Sequence, residues 1–332
     1  MRIDRRQALL GTLAFGLGAR AGAQMPPPAV RDSRPLVAPD PTETIELWPG
    51  GAPGAPTTLP VEAVRERSTD PAYNDRIVTG IARPRLVVFR PDRPNGAAAL
   101  ITPGGSYERV VIDKEGYELA RLLAQHGVTA FVLFYRLPGE GWAAGADIAL
   151  GDAQRGVRLI RWRAAEFRID PARVCAIGFS AGGHVCADLA ARFGSRIYDP
   201  VDSADRLSAR PDAAAPIYPV VSMSPPLANA RSRERLIGAD ASPALERAHS
   251  PHLHVRADSP PCFLLHAEDD DAVPAANSLL LRDALMSKSV PVETHLFPDG
   301  GHGFGIRLAR GTSAEFWPEL LLGWARYRGL WS

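Results

Sequence analysis

The stretch CAIGFSAGGHVCADLA, residues 175–190, changes character halfway along. An apolar run stops at Gly178, a lone hydroxyl stands at Ser180, and small residues lead into a segment with helical spacing. Gly178-Phe179-Ser180-Ala181-Gly182 is thus a G-x-S-x-G pattern between a predicted strand (173–179) and a predicted helix (181–193). So sharp a strand-to-helix turn leaves no room for side chains on either side, hence the glycines. It also raises the serine hydroxyl above the sheet at the positive end of a helix. A capping serine in an ordinary glycine-rich turn has the same five letters, so the setting and the partners decide.

The setting is regular. Short apolar runs at 85–89, 97–102, 128–135, 173–179, 212–221, 261–267 and 290–297 read as strands. Segments 114–127, 152–167, 181–193, 276–288 and 314–329 read as helices, the arginines of 152–167 expected on its wet face. Strands apolar throughout and alternating with amphipathic helices imply the α/β class. The expected core is a mostly parallel central sheet covered by helices on both faces, with chemistry at the carboxyl ends of the strands.

A serine hydroxyl is a weak nucleophile until a base takes its proton, and on this architecture the partners follow in the order serine, acid, histidine. FLLHAEDDDAVP (263–274) places Glu268, Asp269, Asp270 and Asp271 just after a strand. Asp270 is the expected acid, because it stands at the turn and leaves Val273-Pro274 to lead into the next helix; Asp269 is the second choice. FPDGGHGFG (297–305) sets His302 in a glycine-rich loop after the last strand, where the ring is free to reach inward. His295 lies inside the alternating VETHLF strand and reads as structural, and His184, His252, His254 and His266 lack the order or the loop setting. LITPGGSYERV (100–110) follows another strand. The backbone amides of Gly105 and Ser106, with that of Ala181, are the expected donors to an oxyanion.

Composition narrows the partners. The 332 residues carry 38 basic and 37 acidic side chains, so a nucleic-acid or anionic-membrane surface is not expected. Cys175, Cys186 and Cys262 show no zinc spacing and read as buried thiols; no metal or other cofactor is expected. The first 23 residues carry Arg2, Arg5 and Arg6, an apolar stretch and Ala21-Gly22-Ala23, the pattern of a cleaved export signal, with Arg5-Arg6 like a twin-arginine pair. The expected organisation is an export signal (1–23), a proline-rich arm (24–43) and one catalytic domain (44–332). The mature protein is then periplasmic or secreted, with no membrane anchor.

Beyond about Trp48 the chain resembles bacterial α/β-hydrolases of the acetylxylan-esterase and feruloyl-esterase type. PGGSYERV, YRLPGEGW, DAQRGVRLIRWRAAEFRIDPARVCAIGFSAGGH, RPDAAAPIYPVVSM, SPPCFLLHAEDDDAVPAANS and FPDGGHGFG carry the likeness. The resemblance implies an exported enzyme that removes small acyl groups from plant-wall carbohydrate. One departure is Asn229-Ala230-Arg231-Ser232-Arg233, where relatives often have a histidine-x-glycine-serine-arginine element. The expectation is a serine esterase acting on acylated carbohydrate or small esters through a Ser-His-Asp triad, with acetyl preferred. A general short-chain or feruloyl esterase and a peptidase-like hydrolase are the alternatives. Tyr107, Tyr135, Trp142 and Tyr218 fall near strand-end loops as candidate pocket residues.

Overall fold

The computed structural model describes residues 39–331. The expected leader (1–23) and most of the expected arm (24–43) lie outside the described residues.

Eleven strands occur among them: β1 (Thr44–Glu46), β2 (Ala63–Glu66), β3 (Arg76–Thr79), β4 (Arg85–Phe89), β5 (Ala98–Thr102), β6 (Val110–Val111), β7 (Thr129–Phe134), β8 (Val174–Phe179), β9 (Ala213–Ile217), β10 (Cys262–Ala267) and β11 (Val292–Phe297). The α-helices are α1 (Glu118–Gln125), α2 (Ile148–Trp162), α3 (Ala164–Phe167), α4 (Ser180–Arg192), α5 (Ala230–Ile237), α6 (Pro243–Ala248), α7 (Ala276–Ser287) and α8 (Trp317–Tyr327).

Eight strands form the central sheet in the order β1-β4-β7-β5-β8-β9-β10-β11. β1 and β4 run antiparallel at one edge, and pairing from β7 through β11 is parallel. This is the α/β-hydrolase fold. Strands β5, β7, β8, β9 and β10 are buried along their whole length, which is why they read as unbroken apolar runs rather than alternating ones. The register brings their ends level: Thr102 lies opposite Gly178, Phe179 opposite Ile217, and Ala267 opposite Phe297. The loops after β5, β8, β9, β10 and β11 therefore leave the sheet along one edge, and the candidate site residues stand in them.

A second, three-stranded antiparallel sheet, β2-β3-β6, flanks the loop that follows β5. That loop leaves the central sheet at Thr102 and enters the small sheet at Val110, so a ladder holds each of its ends.

Three expectations need correction. The helix expected over 152–167 is two helices, α2 and α3, which meet at Arg163. Its arginines are also not all on a wet face. Arg155 is fully buried, donating from Nε to Leu47 O at 2.9 Å and from the guanidinium to Asp202 at 2.8 and 2.5 Å, with Asp205 at 3.1 Å. The 3-10 turn Ser203–Arg206 packs over that face of α2 and supplies the carboxylates, so a position polar by periodicity becomes an internal ion pair. The strand expected over 212–221 ends at Ile217, because Tyr218 turns the chain with φ +36°. All three cysteines are buried and unbridged.

Candidate active site

Ser180 is the first residue of α4 and has a left-handed φ of +53°. That conformation costs a non-glycine residue on the order of 1–2 kcal/mol and persists only where the surroundings enforce it. Here the enforcement is steric. A Cβ at Gly178 would lie 2.2 Å from Gly182 O, and one at Gly182 would lie 2.0 Å from Thr102 O and 2.3 Å from Pro103 O. Strand β8 approaches α4, and α4 the end of β5, this closely only with hydrogen at Gly178 and Gly182 respectively, and the turn between β8 and α4 points the Ser180 hydroxyl outward.

Ser180 Oγ lies 2.8 Å from His302 Nε2. His302 Nδ1 lies 2.7 Å from Asp270 Oδ2. A carboxylate only accepts, so Nδ1 carries the proton and Nε2 is left as an acceptor for the serine O–H. Asp270 Oδ1 accepts from the amides of Ala272 (3.0 Å) and Val273 (2.8 Å). Oδ2 takes a second imidazole as well, His266 Nε2 at 3.2 Å. Burial alone would push the Asp270 carboxyl up, but the hydrogen bonds from His266, His302 and the Val273 amide outweigh it and hold it at about 2. The carboxylate is therefore charged at any working pH. Asp269 does something else: it accepts from the amides of Gly301 (2.8 Å) and Gly300 (3.3 Å), bracing the loop that carries His302.

The loop after β5 lies against the turn, since a Cβ at Gly104 would be 2.9 Å from Ser180 Cβ. Gly105, Ser106 and Tyr107 all have positive φ, +133°, +56° and +59°. The Gly104 amide donates to Glu115 Oε2 at 3.0 Å. Those of Gly105 and Ser106 donate to no protein atom among the described residues. Ala181 lies in the first turn of α4, where backbone N–H groups lack intrahelical acceptors. The site thus offers a hydroxyl, a base on a fixed tautomer, and amides free to receive negative charge.

Three supporting side chains were not assigned these roles from sequence. Glu115, buried, accepts from the Gly104 amide and, through Oε1, from Tyr218 OH at 3.1 Å. Tyr218 OH in turn accepts from the Gly305 amide at 3.0 Å, and its ring packs on His302 with centroids 5.3 Å apart. One buried carboxylate so ties the β5 loop to the His302 loop. His266 is the third, fixed by Ser278 Oγ at 2.7 Å and Val273 O at 2.9 Å. A histidine four residues before the acid was its only sequence signal.

The aromatic candidates are mostly supports. Tyr135 OH donates to Pro103 O at 2.7 Å, Trp142 is buried beside Arg136, and Tyr218 is behind His302. Tyr107 OH donates to His184 Nδ1 at 2.7 Å, while His184 Nε2–H donates to His249 O at 2.8 Å. Burial pushes His184 down to about 4, so its ring stays neutral and holds Tyr107 in its strained conformation. In the departing element, Asn229 caps α5 and reaches Ala272 O, and Arg233 pairs with Glu246 at 2.7 Å.

Comparison with known proteins places this geometry in context. The family model BD-FAE matches residues 99–285. Endo-1,4-beta-xylanase B of Butyrivibrio fibrisolvens is 34% identical over 62% of this chain and 32% of its own length. An acetylxylan esterase of Xylanibacter ruminicola is 30% identical over 71% of this chain and 46% of its own. The chain spans about a third to a half of the length of these two relatives. The crystal structure of an acetyl ester-xyloside bifunctional hydrolase from Caldicellulosiruptor lactoaceticus superposes with a TM-score of 0.72 at 31% identity, covering 88% of this chain and 98% of that one.

Proposed function

The chain belongs to the BD-FAE family, and from that premise we propose that it is an exported serine esterase that removes short acyl groups, acetyl above all, from carbohydrate such as acetylated xylan or xylo-oligosaccharides. The observation that carries the chemistry is the continuous hydrogen-bonded line Ser180–His302–Asp270 at a strained strand-to-helix turn. The names of the relatives support the ester and the sugar.

On this reading Ser180 Oγ attacks the ester carbonyl as its proton passes to His302 Nε2. Asp270 stabilises the imidazolium without taking a proton. The carbonyl oxygen becomes an oxyanion and turns to the amides of Gly105, Ser106 and Ala181, each worth roughly 3 kcal/mol to the tetrahedral intermediate. Collapse breaks the ester bond, and His302 gives its proton to the departing sugar oxygen. Water then loses a proton to the neutral His302 and attacks the acyl-enzyme. The second collapse frees the carboxylic acid and returns the proton to Ser180.

The test is kcat/KM for acetyl, butyryl and feruloyl esters of one alcohol, with acetate release from acetylated xylan measured alongside. Acetyl should lead, and Ser180→Ala should lose nearly all turnover while folding normally. Preference for feruloyl or long-chain esters with no acetate from the polymer would remove the carbohydrate reading. Export rests on residues 1–23 and is tested by N-terminal sequencing of protein recovered from the periplasm, which should begin near Gln24.

A further inference from the structure

A groove of about 530 Å³ opens beside the proposed site, between the small sheet, the β5 loop and α5. It adjoins the loop whose amides were assigned to the oxyanion. Tyr107 follows Ser106 directly, and the chain folds back so that Arg109 N donates to Gly105 O at 3.2 Å. The groove wall therefore begins one residue along the chain from the Gly105 and Ser106 amides.

The groove is basic. Arg65, Arg109 and Arg235 line it against a single lining carboxylate, Glu108. Glu108 is already claimed: it accepts from Arg235 Nε at 3.0 Å, Arg109 Nη1 at 3.3 Å and Arg231 Nη2 at 2.5 Å. One negative charge thus answers three guanidinium groups, and Arg65 has no ion-pair partner among the described residues. Arg109 Nε is buried and makes no hydrogen bond. Burial, and after the opposing pull of Glu108 the repulsion of Arg231, Arg67 and Arg65, pushes the Arg109 guanidinium down. Glu140, next in the chain to the lining residue Gly139, accepts from the Gly80 amide at 2.8 Å.

We propose that this groove is a subsite for a carboxylate on the alcohol part of the substrate, so that acylated oligosaccharides bearing a uronic acid are preferred over neutral ones. The inference rests on the carbohydrate-esterase reading for its choice of carboxylate. The chemistry is a charge-assisted bond between a planar guanidinium and a sugar carboxylate; Arg109 is part-buried while Arg65 and Arg235 are exposed, so the attraction is open to screening by salt.

The experiment compares acetate release from an acetylated xylo-oligosaccharide carrying one uronic acid with release from the same compound after reduction of its carboxyl to the alcohol. Wild type should favour the acid in kcat/KM by about tenfold, the worth of one charge-assisted hydrogen bond. The ratio should fall toward one in Arg65→Gln, which lies on an exposed strand, and in Arg235→Gln, and should shrink with added salt. A wild-type ratio near one overturns the subsite and leaves the esterase reading standing. Calorimetric binding of the deacetylated acidic oligosaccharide to Ser180→Ala separates the two ideas. Binding that Arg65→Gln weakens, with no acetate released from either substrate, keeps the subsite and overturns the esterase reading. Equal binding of the acidic and reduced compounds overturns the subsite.

Discussion

Replacing Asp270 by asparagine changes one atom, and the structure says which way the new amide must face. Oδ1 is held by two backbone donors, Ala272 N at 3.0 Å and Val273 N at 2.8 Å, which cannot turn. The amide oxygen must stay there, so the NH2 takes the Oδ2 position, facing His302 Nδ1 and His266 Nε2. His266 cannot adapt, because Val273 O and Ser278 Oγ fix its tautomer. His302 can: it moves its proton to Nε2 and accepts the NH2 at Nδ1. That places an N–H against Ser180 Oγ, where a lone pair had been at 2.8 Å, and the base becomes a donor. Loss of the reactive tautomer should lower kcat by about 10⁴-fold, or about 5 kcal/mol of transition-state stabilisation, with KM little changed. The assay is steady-state hydrolysis of a short acetyl ester by Asp270→Asn, with circular dichroism to verify the fold. Asp269→Asn is the paired control. An asparagine oxygen still accepts from one of the Gly300 and Gly301 amides, so its cost should stay under about tenfold. A fall of less than tenfold in Asp270→Asn, or a larger one in Asp269→Asn, refutes this reasoning.

Gly182→Ala must force a methyl into the Thr102 and Pro103 carbonyls, so it should lose about 3 kcal/mol or fail to fold, whereas Gly139→Ala, with open space around it, should be near neutral in urea denaturation; equal midpoints would contradict the steric account. Arg155→Ala leaves the buried Asp205 with the Tyr198 hydroxyl and the Val201 amide but no cation and should cost about 3 kcal/mol by the same measurement, and a cost below 1 would mean that the ion pair is not the anchor described. Asp270 has a folded value of about 2 against 3.8 for the free group, so it contributes stability that is fully present above pH 4 and lost as pH falls through 2, about 2 kcal/mol in all. Wild type should accordingly lose more stability than Asp270→Asn between pH 4 and 2, and parallel curves for the two proteins would show that the carboxylate is not held as drawn.

The parallel strands were legible because burial on both faces leaves an unbroken apolar run, and β5, β8 and β10 end at Thr102, Phe179 and Ala267, where the sequence reading put them. The small sheet was not, because β2 is exposed along its length and β6 is two residues long, so neither carries a period. Ser180, Asp270 and His302 were nameable because turn chemistry marks strand ends: glycines bracket the serine and the histidine, and an acidic run follows a strand. Glu115 was hidden for the opposite reason. It sits where helical spacing assigns an ordinary polar position, and only the folded chain brings Tyr218 and the Gly104 amide to it. Arg155 misled in the same way, since periodicity cannot foresee a distant turn that brings its own carboxylates.

The loop after β5 hangs between two independent hydrogen-bonded ladders, and this splits the molecule into parts that can change at different rates. The ladder on the β5 side belongs to the packed core, where a single methyl is felt. The ladder on the β6 side belongs to a sheet whose outer strand faces water along its entire length. Ala63 and Arg65 of β2 wall the basic groove from exposed positions, so their side chains are free to be exchanged while Ser180, His302 and Asp270 stay in register. If the groove receives the alcohol part of the ester, as proposed, the fold carries a replaceable wall bolted to a fixed floor: preference would change at a few exposed positions while the Ser180–His302–Asp270 line stays as it is.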